Sequence, residues 1–211
     1  MTSLVTASQV AAFSLMALLI TITPGPDNLM VLGLGMSKGR RLGVAFGLGC
    51  ALGCLSHTVF AAIGVSAIVT SSPTAFTLLT WAGGAYLIWL GIRALRSAGA
   101  GFTSTSNSDQ GTVLRLFARG LLANAINPKV MLFFLSFLPQ FVDQSRGQPG
   151  GQLALLGLVF TAQAAVVFAL LGYFAGSIGA WLNSMPRAAL WADRLSGGAF
   201  ICLGMQMVVS R

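Results

Sequence analysis

The chain has 211 residues, of which 55% are hydrophobic and only 8% are charged, and its net charge at pH 7 is +8. Soluble domains carry about 25% charged residues, so this composition excludes a soluble protein and predicts an all-α integral membrane protein. The basic residues are dispersed along the chain instead of clustering on one face, which argues against nucleic acid as a partner.

Apolar stretches of membrane-spanning length follow one another along the chain, and a helical span needs about 20 residues. No Asp, Glu, Lys or Arg lies between Arg41 and Arg93 or between Arg146 and Arg187. Each of these runs therefore holds two spans, or one span and an interfacial helix. Short connectors leave one transmembrane domain over residues 1–211. The sequence predicts six transmembrane helices, near residues 9–36, 42–70, 75–96, 113–142, 152–180 and 187–210.

Basic residues mark one side of the predicted membrane domain. They flank the first, third and fifth connectors, whereas the second connector has none and the fourth has only Arg146. By the positive-inside rule the odd connectors face the cytoplasm, so both termini face outward. Residues 97–112, which form the third connector, are therefore predicted to be a polar cytoplasmic loop.

Proline interrupts two of the predicted helices, each roughly midway and beside an ionisable side chain. In lipid, backbone groups freed by a proline must bond to protein or to water in a cavity. An ionisable residue at that depth marks a functional site by default, and two breaks in matching positions of two half-sequences indicate the central site of a transporter. The candidate substrate-binding and coupling residues are Pro24, Gly25, Pro26, Asp27 and Asn28 in the first break, and Asn127, Pro128 and Lys129 in the second.

Each break also supplies the start of a new helical segment. Pro26 and Pro128 suit the first turn of these segments, because an N–H there has no intrahelical partner, and Asn127 is a good N-cap. Each start would aim free N–H groups and a partial positive charge at the protein centre, which suits a carboxylate. Alternatively both breaks are only kinks, with Asp27 an ordinary first-turn acid and Lys129 extending toward the membrane surface.

The two halves of the sequence resemble each other. The third predicted helix reads GGAYLIWLG from Gly83, and the sixth reads GGAFICLG from Gly197. These starts are 114 residues apart and the two proline breaks are 104 apart, so helix one pairs with helix four and helix three with helix six. Because each half has an odd number of helices, the repeats at 1–96 and 113–211 cross the membrane in opposite directions. The sequence thus predicts a 3+3 inverted repeat in which helices 1 and 4 are broken.

Two cysteines and the one histidine of the chain lie close together on the second predicted helix. Cys50, Cys54 and His57 could form a thiol or soft-metal site, which leaves a membrane thiol or redox carrier and a metal-ion transporter as alternative functions. Such a set is incomplete as a ligand shell, and the glycines around it favour a helix-packing seam. We therefore predict no metal site and no cofactor. His57 is either a polar packing residue bonded across helices or part of a proton or substrate path.

Four groups of motifs follow one another along nearly the whole chain, namely TPGPDN from Thr23, SKGRRLG from Ser37, NPK from Asn127 continuing into Phe133-Phe134 and LPQF, and DRLSGG from Asp193. In this order and spacing they resemble the LysE/RhtB family of amino-acid exporters. The resemblance implies a multi-pass carrier of the bacterial inner membrane and not an enzyme. It implies export, by proton-coupled antiport, of amino acids such as lysine, arginine, threonine, homoserine, leucine or cysteine derivatives, without marking which one.

The mechanism expected from these features is alternating access around the two broken helices. The substrate carboxylate would meet the helix starts near Asn127 and Lys129, while Asp27 would accept the substrate ammonium or exchange with the coupling proton. The expected partners are an amino acid, protons and the lipid bilayer. The sequence leaves open whether the chain works as a monomer or as a homodimer.

Overall fold

The computed structural model describes residues 4–96, 111–184 and 186–209, and within them the chain is helical almost throughout and contains no β-strand. This confirms the predicted all-α class. Of the loop predicted at 97–112, residues 97–110 lie outside the described part of the chain. The helices in chain order are α1 (Ala7–Ile22), α2 (Pro26–Lys38), α3 (Arg40–Phe60), α4 (Ser66–Ser71), α5 (Pro73–Arg96), α6 (Val113–Ala125), α7 (Pro128–Leu132), α8 (Pro149–Tyr173), α9 (Ala175–Ser184) and α10 (Pro186–Val209).

Irregular helical turns extend several of these helices. A π-helical turn at Ala61–Val65 joins α3 to α4. A second π-helical turn at Phe133–Phe137 continues α7 and passes into a 3₁₀ turn at Leu138–Phe141, and another 3₁₀ turn follows at Gln144–Arg146. Local sequence propensity does not distinguish π from α turns, so neither π turn is predicted from the sequence.

Several helical segments have the length and apolar character of membrane spans. Three are continuous: Arg40–Ile68, Pro73–Arg96 and Pro149–Tyr173. Two more candidates are bent pairs, in which α1 meets α2 at 57° and α6 meets the segment Pro128–Phe141 at 48°. By length and apolar composition, the described residues thus support a membrane protein with up to five spans. α10 is long enough but is not among them, so a sixth span and the complete 3+3 arrangement stay predictions.

Both bends lie at the predicted proline breaks. α1 ends at Ile22 and α2 begins at Pro26, with the extended residue Gly25 as its N-cap. In the second break, Pro128 occupies the first helical position and the side chain of Asn127 accepts a hydrogen bond from the backbone N–H of Lys129. Proline at this position costs no hydrogen bond, because the first N–H groups of a helix have no intrahelical acceptor.

The helix predicted at 152–180 divides into α8 and α9 at Phe174, whose backbone leaves the helical conformation at φ −93° and ψ 9°. Hydrogen bonds still cross the division, since the N–H of Phe174 donates to the carbonyl of Leu170 and the N–H of Ile178 donates to the carbonyl of Phe174. No proline marks this position, which explains why the apolar pattern predicts one continuous helix.

Reciprocal glycine contacts join α5 and α10. A Cβ on Gly84 would lie 2.9 Å from the carbonyl oxygen of Gly204, and one on Gly204 would lie 2.5 Å from that of Gly84. Gly91 and Gly197 make the same exchange at 2.6 and 2.7 Å. At these separations only glycine lets the two backbones approach so closely. The pairing of Gly84 with Gly204 and of Gly91 with Gly197 also shows that the two helices run antiparallel.

Two close glycine contacts also join α3 and α8. A Cβ on Gly157 would lie 2.5 Å from the side chain of Thr58, and one on Gly172 would lie 2.7 Å from the backbone of Gly43. These contacts connect opposite ends of the two helices, so α3 and α8 are antiparallel as well. Both crossings depend on small residues in place of large apolar side chains.

Two adjacent glycines of α10 allow this close packing to be tested. We expect Gly197→Ala to lower stability by about 1–3 kcal/mol, because the new Cβ would overpack the crossing with α5. Gly198 has open space around its Cβ position, so Gly198→Ala should be neutral or should stabilise the helix by about 0.5–1 kcal/mol. Thermal unfolding of the detergent-purified variants, followed by tryptophan fluorescence, measures the difference. Equal unfolding temperatures for the two variants would refute the close crossing.

Candidate functional site

The two helix breaks face one central cavity. Its free space is about 20 Å³, enough for a water molecule but too little for an amino acid. Its polar wall is formed by Thr21, Asp27, Asn28, Asn124, Asn127 and Lys129, together with the backbone at Gly25. Its apolar wall is formed by Ile20, Cys54, Val130, Phe133, Phe160 and Phe168.

The structure brings most of the sequence-predicted site residues together here. The side chains of Asp27, Asn28, Asn127 and Lys129 line the cavity, and Gly25 lines it with its backbone. The three prolines do not line it and act through the backbone that they shape. They are Pro24, Pro26 and Pro128.

Asp27 lies in the first turn of α2 and is only 5% exposed. Its Oδ2 accepts a hydrogen bond of 2.7 Å from Nδ2 of Asn124. A carboxylate in the first turn also interacts favourably with the positive end of the helix dipole. These two interactions hold an acidic group inside the protein without a basic partner in direct contact.

Lys129 lies in the first turn of α7 and is 8% exposed. Its Nζ donates a hydrogen bond of 2.8 Å to the carbonyl oxygen of Thr23, in the other break. The same Nζ lies 5.5 Å from the ring centroid of Phe200, within the range of a cation–π contact. A Cβ on Gly25 would lie 3.2 Å from this nitrogen, so glycine keeps room for the ammonium.

The two opposite charges line the same cavity but do not form an ion pair. No nitrogen–oxygen contact within 4.0 Å joins Asp27 to Lys129 among the described residues. Each is held by a neutral group instead, Asp27 by an amide and Lys129 by a backbone carbonyl. The cavity therefore presents a separated anion and cation, both largely removed from solvent.

The starts of the two second half-helices are capped differently. Asn127 caps its helix by accepting a 3.0 Å hydrogen bond from the N–H of Lys129. Gly25 has no side chain and makes no such cap at α2. Asn28 instead donates through Nδ2 to the carbonyl of Thr21 at 2.8 Å, a group that the break removes from the α1 ladder. The start of α2 is thus the one at which backbone N–H groups lack a side-chain acceptor.

Asn124 joins the site to α3, and we did not predict it from the sequence. It is completely buried. Besides donating to Asp27, its Oδ1 accepts from Sγ of Cys54 at 3.4 Å, and its backbone oxygen lies 3.0 Å from Nε2 of His57. The signal was present in the sequence, because an asparagine one turn before Asn127 in an apolar helix must find hydrogen-bond partners inside the membrane.

Cys50, Cys54 and His57 are buried, and only Cys54 lines the cavity. Within the described residues, no group of three or more His, Cys, Asp or Glu side chains could hold a metal ion. His57 bonds to the carbonyl of Asn124 on α6 and packs near the ring of Phe134. These contacts are those of a polar residue that joins two helices, and a role in a proton or substrate path stays a prediction.

Comparisons with known proteins agree on one family. The sequence profile of LysE type translocators matches residues 18–211. A membrane protein of Vibrio cholerae is 34% identical over 205 residues, covering 95% of this chain and 96% of its own. The homoserine/homoserine lactone efflux protein of Salmonella typhimurium is 31% identical over 200 residues, with the same coverage of 95% and 96%. The leucine efflux protein of an Enterobacter species is 28% identical over 192 residues, 88% of each chain. No solved structure matches the chain.

Proposed function

Because the chain belongs to the family of LysE type translocators, which are membrane transporters and not enzymes, we propose that it exports amino acids or close derivatives across the bacterial inner membrane. In this proposal it is a secondary transporter that exchanges its substrate for protons. The efflux functions named for the Salmonella and Enterobacter relatives support an amino-acid cargo. The family predicted from the motifs is confirmed, whereas the membrane of residence and the coupling ion belong to the proposal.

The separated charges of the cavity are the observation that carries this proposal. A free amino acid has an ammonium and a carboxylate on the same carbon atom. Asp27 would bind the ammonium, and Lys129 would bind the carboxylate together with the uncapped N–H groups at the start of α2. Since the two side chains are held by neutral partners and not by each other, a zwitterion can enter without first breaking an ion pair.

Reciprocal helix contacts support a 3+3 inverted repeat over residues 1–96 and 113–211. Consider a two-fold rotation that exchanges Gly84 with Gly197 and Gly91 with Gly204. It maps the contact of Gly84 with Gly204, between α5 and α10, onto the contact of Gly91 with Gly197. This pairs Gly84, and not Gly83, with Gly197. The close contacts of α3 with α8 also connect opposite ends of those two helices, and both second half-helices begin with proline followed by a charged residue. In a transporter with such symmetry, the substrate site is expected at the interface between the repeats.

Alternating access then follows from the two repeats moving around a fixed site. The close glycine crossings offer surfaces on which helices can slide. In the proposed cycle the cavity, whose free space is about 20 Å³, has to widen to admit a substrate. Asp27 would bind either the substrate ammonium or the coupling proton. Uptake of a proton and release of the substrate would then be coupled at this one carboxylate.

Export from proteoliposomes tests the function. Vesicles containing the purified protein are loaded with one radiolabelled amino acid at a time, from a panel of leucine, valine, homoserine, lysine and glutamate. We expect protein-dependent release of at least one, accelerated when the outside is made acidic and slowed when a protonophore removes the gradient. No release above that of protein-free vesicles would overturn amino-acid export. Release that ignores the gradient would overturn proton coupling alone.

A further inference from the structure

The charged side chains that line the cavity match only the α-ammonium and the α-carboxylate of an amino acid. Asp27 and Lys129 are the two charged residues that line it in the described part of the chain. The proposed function, on which this inference rests, uses both for the α-ammonium and the α-carboxylate. Whatever side chain the substrate carries must therefore be accommodated by the remaining walls. Their chemistry consequently decides which amino acids fit.

Most of the neutral polar groups of the cavity already make hydrogen bonds to protein. Asn124 donates to Asp27 and accepts from Cys54, and the Asn127 oxygen accepts from the backbone of Lys129. The hydroxyl of Thr21 donates to the carbonyl of Ala17 at 2.7 Å. A polar substrate side chain would have to compete for these groups, which hold the two breaks in place.

The rest of the wall is apolar and largely aromatic. Phe133 follows Lys129 by one turn, and Phe160 and Phe168 come from α8. The rings of Phe133 and Phe160 lie 5.4 Å apart, and Phe160 also packs edge-on against Phe134 at 5.0 Å. Ile20, Cys54 and Val130 complete this wall. Because the rings are packed against one another, they limit the length of a side chain that can lie beside them.

A charged substrate side chain would find no further partner of opposite charge among the described residues that line the cavity. The sequence has only four acidic residues and no glutamate. Asp27 lines the cavity, and Asp109 lies outside the described residues. The other two are Asp143, in an exposed turn beside Arg146, and Asp193 on α10, and neither of these two lines the cavity. Burying an unpaired ammonium or carboxylate is costly in an apolar environment. The cavity thus disfavours lysine and arginine, and equally aspartate and glutamate, whose side chains would compete for Lys129.

We propose that the site accepts zwitterionic amino acids with uncharged, mainly apolar side chains of small to medium size, and that the aromatic wall of Phe133, Phe160 and Phe168 sets the size limit. The two charged residues fix the orientation of the substrate. Selection among side chains then takes place at the aromatic wall.

Competition in counterflow tests the charge selectivity. Proteoliposomes that take up radiolabelled leucine in exchange for internal leucine are challenged with unlabelled valine, methionine, lysine, arginine or glutamate. We expect valine and methionine to compete at concentrations similar to leucine, and the charged amino acids to be weaker by at least about tenfold. Competition by lysine or glutamate as strong as that by valine would overturn the substrate class. Absence of exchange with every amino acid of the panel would instead overturn the proposed function.

A size change at Phe160 tests the aromatic wall. In Phe160→Ala, we expect uptake of phenylalanine to rise relative to that of valine, and Phe160→Leu should give a smaller change in the same direction. The ratio of two substrates within one variant is independent of how much protein folds. Phe60→Ala is the matched control, since Phe60 lies 65% exposed on α3 and away from the cavity. A ratio in both Phe160 variants that equals that of the control would contradict a size limit set by this wall.

Discussion

Replacing Asp27 by asparagine is expected to abolish export driven by a pH gradient while leaving the protein folded. Asparagine has nearly the same shape, and its oxygen can still accept the hydrogen bond from Asn124. It cannot attract an ammonium or carry a proton. Loss of one hydrogen bond between charged groups costs about 1.5–3 kcal/mol, which corresponds to a roughly 10- to 100-fold weaker affinity. Proteoliposome export at several substrate concentrations, with and without a gradient, measures both effects.

Asp193→Asn provides the control for this variant. Asp193 lies on α10 and does not line the cavity, so the same chemical change there should leave the affinity and gradient dependence unchanged. Export by Asp27→Asn that persists but no longer responds to the gradient would restrict Asp27 to proton coupling. Gradient-driven export at the wild-type rate would remove Asp27 from the mechanism.

Replacing Lys129 by methionine is expected to reduce substrate affinity by a similar factor, again about 10- to 100-fold. Methionine has nearly the length of lysine and can pack against Phe200, so the wall of the cavity is retained. The substrate carboxylate would lose its cation and keep only the N–H groups at the start of α2. Concentration dependence of counterflow measures the affinity, and fluorescence-detected size-exclusion chromatography checks that the variant is folded.

Arg93→Met is the corresponding control, because Arg93 lies at the exposed end of α5, stacked on Trp89, and outside the cavity. Its effect on counterflow should be small. Wild-type affinity and rate in Lys129→Met would reduce Lys129 to a packing residue that joins the two breaks through the carbonyl of Thr23.

Local signals made much of the fold predictable. Charge-free apolar runs and proline-containing breaks can be recognised from residues that are close in sequence. The helices and both bends lie where these signals predict them. The division at Phe174 has no such signal. The π turn after α7 has none either, because it depends on how the aromatic side chains of that segment pack against neighbouring helices.

The site was predictable where the sequence breaks a pattern, and much less so elsewhere. Asp27 and Lys129 stand out because charges are rare in apolar helices. Whether they pair depends on the paths of two side chains from different helices, so the sequence leaves the question open. Asn124 is harder to recognise, because it is uncharged and lies before the break. Phe160 and Phe168 could not be assigned to the cavity, since α8 is apolar on all sides and its pattern shows no preferred face.

In the proposed site, Asp27 and Lys129 together bind a zwitterionic amino acid, and direct binding to the purified protein tests this most simply. Radiolabelled leucine is titrated onto the wild-type protein, onto the double variant Asp27→Asn/Lys129→Met, and onto the control Asp193→Asn/Arg93→Met, with scintillation proximity as the readout. We expect saturable binding by the wild type and the control, and no saturable binding by the double variant at concentrations that saturate the wild type. Wild-type affinity in the double variant would contradict a substrate site between the two broken helices.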